Sequence, residues 1–188
     1  MKQAKLLALM ITLTVLCGCS RSEKYEEAFS SWRQNCISIN EHEIEAVVTA
    51  SDDKKICEYT ILYNLNKDGE TVEVLAPEMI AKVKAHVDEK DEARLSYDGV
   101  VLDTGSVLSK NLSPLMALPV FMYIVKEGHI ENAWKEKKDD SEYIAADMEM
   151  PDGTIMTLWL SADEMAPAYA EVRNRDRVEI KIDIKNFK

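Results

Sequence analysis

Positive charge is in short supply in this chain. Lysine and arginine total 23 against 34 aspartates and glutamates, for a net charge of −11. So acidic a surface is repelled by phosphate backbones, which excludes nucleic acid as a partner. It also excludes docking of the folded body on anionic lipid. Glycine is scarce too, with six residues in 188, and none falls in a phosphate-cradling loop or a GxSxG elbow. The three histidines, His42, His86 and His129, are scattered at strand starts or on polar faces and read as surface residues. No HExxH, CxxC or Cys/His spacing offers a metal site. No catalytic constellation, cofactor or metal is expected, and the chain is not expected to be an enzyme.

One motif hints at chemistry. Val100-Val101-Leu102-Asp103-Thr104-Gly105-Ser106 contains apolar-Asp-Thr-Gly-Ser, which resembles the active-site turn of aspartic proteases. That chemistry needs two aspartates sharing a proton, hence a homodimer, and a later apolar-apolar-Gly segment to support the turn. The later glycines, Gly128 and Gly153, follow Lys126-Glu127 and Pro151-Asp152 instead. The motif is therefore expected to be a plain β-turn between a strand and a loop.

Long apolar runs are few, and two stand out. The first lies in MKQAKLLALMITLTVLCGCS, where Lys2 and Lys5 precede an apolar stretch from Leu6 to Leu16. That length suits a signal peptide and is too short for a membrane span. Leu16-Cys17-Gly18-Cys19 resembles a bacterial lipobox, with an aliphatic residue three places and a small residue one place before the acylated cysteine. Residues 1–18 then form the leader, Cys19 is the lipid attachment site, and residues 19–24 are a lipidated tether. Durable anchoring needs two or more acyl chains, so the protein would be tethered on the outer side of a bacterial cytoplasmic or outer membrane. Loss of Lys2 and Lys5 with the leader takes the charge from −11 to −13. Two cysteines remain, Cys36 and Cys57. A disulfide between them would add about 3 kcal/mol in the chain-entropy model, and two buried free thiols suit the sequence equally well.

Residues 25–188 form one domain. Tyr25, Ala28, Phe29, Trp32 and Cys36 are spaced by three and four, which predicts an amphipathic helix over 23–37. From His42 the period becomes two. Ile44, Ala46, Val48 and Ala50 share a face, as do Cys57, Tyr59, Ile61, Tyr63 and Leu65. Asn66-Lys67-Asp68-Gly69, Asp98-Gly99 and Pro151-Asp152-Gly153 mark turns. The last strand alternates Val178, Ile180, Ile182 and Ile184 with charged residues. About five short strands, an apolar insert and about five more predict an α+β fold, mainly antiparallel. Its sheet should curl into a half-barrel of ten to eleven strands.

The insert is the second run, NLSPLMALPVFMYIVK at 111–126, with a single charge at its end. Ser113-Pro114 starts a helix, and Pro119 is expected to break or restart it. Its apolar residues cannot all face one sheet, so a second layer, a partner or a lipid must meet the rest. Met116 and Met122 in the run, with Met148, Met150 and Met156 on a later hairpin, supply adaptable apolar surface.

The order of these features resembles the bacterial lipoprotein-carrier superfamily, that of LolA, LolB, RseB and LppX. The residues that carry it are Val74-Leu75-Ala76-Pro77, Leu112-Ser113-Pro114-Leu115, Thr157-Leu158-Trp159-Leu160, Pro167-Ala168-Tyr169-Ala170-Glu171-Val172, and the closing strand to Asn186-Phe187. The resemblance implies a helical lid over an apolar cavity holding the acyl chains of a lipid or lipoprotein. Lid candidates are Leu115, Met116, Leu118, Phe121, Met122 and Ile124; wall candidates are Tyr59, Ile61, Leu95 and Met148. The rival expectation is an interaction or envelope-sensor module whose insert plugs the barrel and docks a protein partner.

Overall fold

The computed structural model describes residues 20–52, 55–88, 92–106, 113–174 and 177–188. The leader, Cys19 and the lipobox lie outside the described residues, as do Asn111 and Leu112 at the head of the insert and the tip of the first hairpin at 53–54.

Helix α1 spans Ser20–Ser38. Phe29 and Cys36 are buried, and Tyr25 and Trp32 pack partly against them, as the three-and-four spacing requires. The helix starts earlier than expected. Arg21 to Lys24, read as a tether, belong to its first turn, where Glu23 meets the positive end of the helix dipole. Ser22 also donates a hydrogen bond to Glu26 at 2.8 Å.

Six strands follow: β1 (His42–Asp52), β2 (Lys55–Asn66), β3 (Gly69–Ala76), β4 (Lys84–Val87), β5 (Glu92–Tyr97) and β6 (Val100–Ser106). After the insert come β7 (His129–Lys138), β8 (Ser141–Glu149), β9 (Thr154–Ser161), β10 (Pro167–Asn174) and β11 (Arg177–Phe187). All eleven join one antiparallel sheet in the order β6-β5-β4-β3-β2-β1-β11-β10-β9-β8-β7. The turn signals act as read: Asn66 Oδ1 accepts the Asp68 N–H at 2.8 Å, and Gly69 leaves the turn at φ +111°. One motif was misplaced. Val100–Ser106 is not a turn but the edge strand, with Asp103 opposite Arg94 of β5.

Register places one apolar face on the inside. Ile44, Ala46 and Val48 of β1 face Tyr63, Ile61 and Tyr59 of β2. On its other side β1 sets Ala46 and Val48 against Ile184 and Ile182 of β11. The sheet does not close, because β6 and β7 remain edges. Curvature follows from what crosses it: the insert helix touches both β3 and β8, which lie far apart in the strand order. A flat sheet would not bring those two strands to one helix. The α+β half-barrel expected from the sequence is the observed fold.

Candidate functional site

The site is the hollow of the half-barrel and the insert lying in it. Pro114–Met116 forms a 3-10 turn, and helix α2 runs Ala117–Glu127. The insert is in two pieces, but the break falls before Ala117 and not at Pro119. Pro119 sits in the first turn of α2, where a missing N–H costs nothing because that donor has no intrahelical partner.

Ala117, Leu118, Pro119, Val120, Phe121, Ile124 and Val125 of α2 are all buried. A helix apolar around most of its circumference must be covered from more than one side. Here β3 and β8 lie beneath it and α1 packs against it, so of the second layer, partner or lipid left open by the sequence, α1 supplies a second layer.

The ten residues singled out for lid and wall fall into one hydrophobic cluster. Ile61, Leu118, Phe121, Ile124 and Met148 are fully buried and Met116 nearly so; Tyr59, Leu95, Leu115 and Met122 are half-buried against them. Met148 faces Met156 across the β8–β9 pair, both buried. The side chains of the insert fill the hollow.

Beside the lid opens a cleft of about 510 Å³ between the end of α1, strands β2 to β4, and α2. Ile39, Leu65, Val87, Pro119 and Met122 give it apolar walls, and His42, Tyr63 and Glu70 add polar groups. The Tyr63 hydroxyl is buried and lies against the Glu70 carboxylate. Burial pushes its pKa up, and the neighbouring Glu70 carboxylate adds to that. His42 corrects the expectation of a surface histidine. It is 4 % exposed, with Nε2 3.0 Å from the Cys36 carbonyl and Nδ1 3.3 Å from that of Lys188. The ring thereby ties the end of α1 to the last residue of the chain. A neutral imidazole donates to only one of those carbonyls at a time.

The possible disulfide does not form: Cys36 is buried and free, and Cys57 is exposed and free. Cys36 lies at the His42 end of β1, whereas Cys57 pairs with Ala50 near the other end. The intervening strand, at about 3.3 Å per residue, separates them by roughly 26 Å, far beyond the ~7 Å between Cα atoms that a disulfide tolerates. Burial raises the Cys36 thiol to about 11, so it stays protonated at neutral pH.

Two features that hold α2 escaped sequence reasoning. Arg33 of α1 donates from Nε to the Val125 carbonyl at 2.7 Å and from a terminal nitrogen to that of Lys126 at 2.8 Å. Gly128 N–H donates to the Ile124 carbonyl at 2.8 Å. Arg33 thereby satisfies two of the four carbonyls that every helix leaves unpaired at its end. Gly128 is there for space: an added Cβ would sit 2.7 Å from the Ile124 carbonyl oxygen and 3.3 Å from Met148 Cβ. Nothing local in the sequence marks Arg33, whose partners lie 92 and 93 residues away. Gly128 entered the sequence reading only as a glycine that could not support an aspartic-protease turn.

Among the described residues, no cluster of three or more His, Cys, Asp or Glu is placed to hold a metal ion. Nor is any described helix long and apolar enough to cross a membrane.

No protein-family model and no curated protein sequence matches this chain. Solved structures do match in fold. A LolA superfamily protein from Nitrosomonas europaea aligns with TM-score 0.50 at 12% identity, over 85% of this chain and 92% of that one. A DUF1329 family protein from Desulfovibrio piger aligns with TM-score 0.50 at 13% identity, over 90% and 93%. An uncharacterised conserved protein from Thermus thermophilus aligns with TM-score 0.51 at 9% identity, over 87% and 86%. At such identities the likeness is one of fold.

Proposed function

We propose, from the LolA-superfamily fold that this chain adopts, that it is an extracytoplasmic lipoprotein whose half-barrel takes up an apolar chain in exchange for its lid helix. The observation that carries this reading is α2 itself, a helix inserted in the chain between the edge strands β6 and β7, with Leu118, Phe121 and Ile124 buried in the hollow. Side chains that fill a hollow from an element outside the sheet mark a volume that another apolar group can fill.

The magnitudes suit exchange. Leu118, Val120, Phe121, Ile124 and Val125 at about 2 kcal/mol each amount to roughly 10 kcal/mol of burial. An acyl chain of sixteen methylenes gains about 13 kcal/mol gross at ~0.8 kcal/mol per CH₂. The two are close enough for a guest to displace the lid without binding irreversibly. The ligand is thus a lipid or the acyl chain of a lipoprotein, and the cleft at Tyr63 is its entrance. Acylation at Cys19 tethers the domain to the outer side of a bacterial membrane. The role is transport, sorting or sensing of that ligand.

The test is titration of the purified protein with a fluorescent fatty-acid analogue, competed with unlabelled palmitate and phospholipid. Saturable one-to-one binding, displaced by the unlabelled lipid, is expected; the absence of saturable binding overturns the reading. A second reading draws on the same filled hollow: α2 as a permanent plug in a module that docks a protein. It predicts no uptake under any condition.

A further inference from the structure

The convex face of the sheet carries a second, independent feature. Trp134 and Glu136 of β7, Tyr143 of β8, Trp159 of β9 and Tyr169 of β10 come to one side by register, since Glu136 pairs with Tyr143, Ala145 with both tryptophans, and Trp159 with Tyr169. They are half-buried. A groove of about 790 Å³ runs over Trp159 and Tyr169.

Its chemistry is specific. Both indole N–H groups donate to the same carboxylate oxygen, Glu136 Oε2, at 3.2 Å from Trp134 and 2.8 Å from Trp159. Tryptophan has no other donor, so what remains for a ligand is the apolar, electron-rich ring face. The Trp159 and Tyr169 rings lie 5.2 Å apart. The Tyr169 hydroxyl is likewise occupied, donating to Glu171 at 2.7 Å. Glu136 itself receives only these neutral donors and makes no ion pair among the described residues. Its carboxylate lines the aromatic groove without an ion pair, whereas Glu171 is paired with Lys181 at 3.2 Å. Asp139 adds acid along the rim, where Asp183 is already paired with Lys185. That these rings accept a cation is visible already, for Lys138 Nζ lies 5.1 Å from the Tyr169 centroid.

Ring faces stripped of polar edges, above a carboxylate without a counter-ion, make a site for a flat or compact cation. We infer that the convex groove binds a basic peptide segment, with an arginine guanidinium stacked on Trp159 and Tyr169 and donating to Glu136. Arginine fits better than lysine because its planar fork can stack and donate in plane at once. The surplus of acid on the whole chain steers such a segment toward the groove. The site is on the face opposite the lid, so a basic partner can be held while the hollow is filled or emptied.

The test uses ¹⁵N-labelled protein and the peptide acetyl-Gly-Arg-Gly-Arg-Gly-amide. The chain has three tryptophans, hence three indole N–H signals. The indoles of Trp134 and Trp159 should shift saturably, and that of Trp32, packed 5.4 Å from Phe29 on α1, should not. Binding should weaken with added salt and fall at least tenfold in Glu136→Gln, which keeps an acceptor for the indoles and loses the charge. Trp159→Leu, which removes the ring face and leaves Glu136 charged, should weaken it similarly, so failure of one variant to fold leaves the other. Lys138→Met, which clears the competing cation, should bind at least as well as the parent. The inference is overturned if neither tryptophan signal moves, or if a citrulline version of the peptide binds equally well. It is overturned too if Glu136→Gln and Trp159→Leu both fold and bind as the parent does, or if a neutral oligosaccharide and not the peptide shifts the two signals.

Discussion

Arg33 makes the sharpest prediction about the lid. Its guanidinium holds the carbonyls of Val125 and Lys126 at 2.7 and 2.8 Å. Hydrogen bonds from a charged donor contribute about 1.5–3 kcal/mol each. The contact to Lys126 is exposed, so the lower end of that range applies, and the pair together is put at about 2 kcal/mol after solvent screening. Arg33→Met keeps most of the side-chain stem and removes the donors. If the hollow fills with a guest only when α2 leaves it, that loss raises the open fraction roughly 30-fold, since ~1.4 kcal/mol is a factor of ten. The apparent dissociation constant is the intrinsic one divided by the competent fraction. Arg33→Met is therefore expected to be less stable by about 2 kcal/mol in urea unfolding and yet to bind a fluorescent fatty acid more tightly, by about 30-fold at most. Both quantities come from the same sample. A variant that loses stability and binds equally or more weakly would refute the idea that lid and guest compete for one volume.

Other outcomes follow from the same geometry. Gly128→Ala places a methyl against the Ile124 carbonyl and Met148; overpacking of this kind costs about 1–3 kcal/mol, read as a lowered Tm, and an unchanged Tm would show that the lid's end has slack. Cys57 should react with a maleimide at once at pH 7.5 and Cys36 only on unfolding, because Cys36 is buried with its pKa raised to about 11; equal rates would contradict the packing of α1. Burial pushes the pKa of Glu171 up, but Tyr169 and Lys181 outweigh it and leave the carboxylate below its ordinary 4.5. Its contribution to stability is thus complete above pH 4.5 and lost as pH falls through the lowered value. Glu171→Gln should accordingly flatten the acid limb of a stability–pH curve, and an identical acid limb would remove Glu171 from the account.

Much of the fold could be read from periodicity. The alternation of Ile180, Ile182 and Ile184 and the Asn66–Gly69 turn settle local structure through side-chain spacing and backbone conformation, both of them short-range. The apolar insert was legible for the same reason, since Leu118, Phe121 and Ile124 stand out by composition alone. What escaped depends on distant parts of the chain. His42 looks like a surface residue until the Lys188 carbonyl, 146 residues on, is brought beside it. Cys36 and Cys57 look pairable until β1 is laid between them. Glu136, Trp134 and Trp159 become one site only when β7, β8 and β9 are in register. Asp103 misled in the opposite sense: a short string of turn-forming residues suggested a turn, but pairing with β5 holds it extended.

The most direct test of the account is native mass spectrometry of the purified protein, before and after incubation with phospholipid vesicles, on the parent and on Arg33→Met. The account predicts one lipid adduct per chain, recoverable by organic extraction, with higher occupancy in Arg33→Met than in the parent. A bare protein mass from both, before and after incubation, would mean that α2 is a fixed plug and that the hollow of this half-barrel holds nothing but its own side chains.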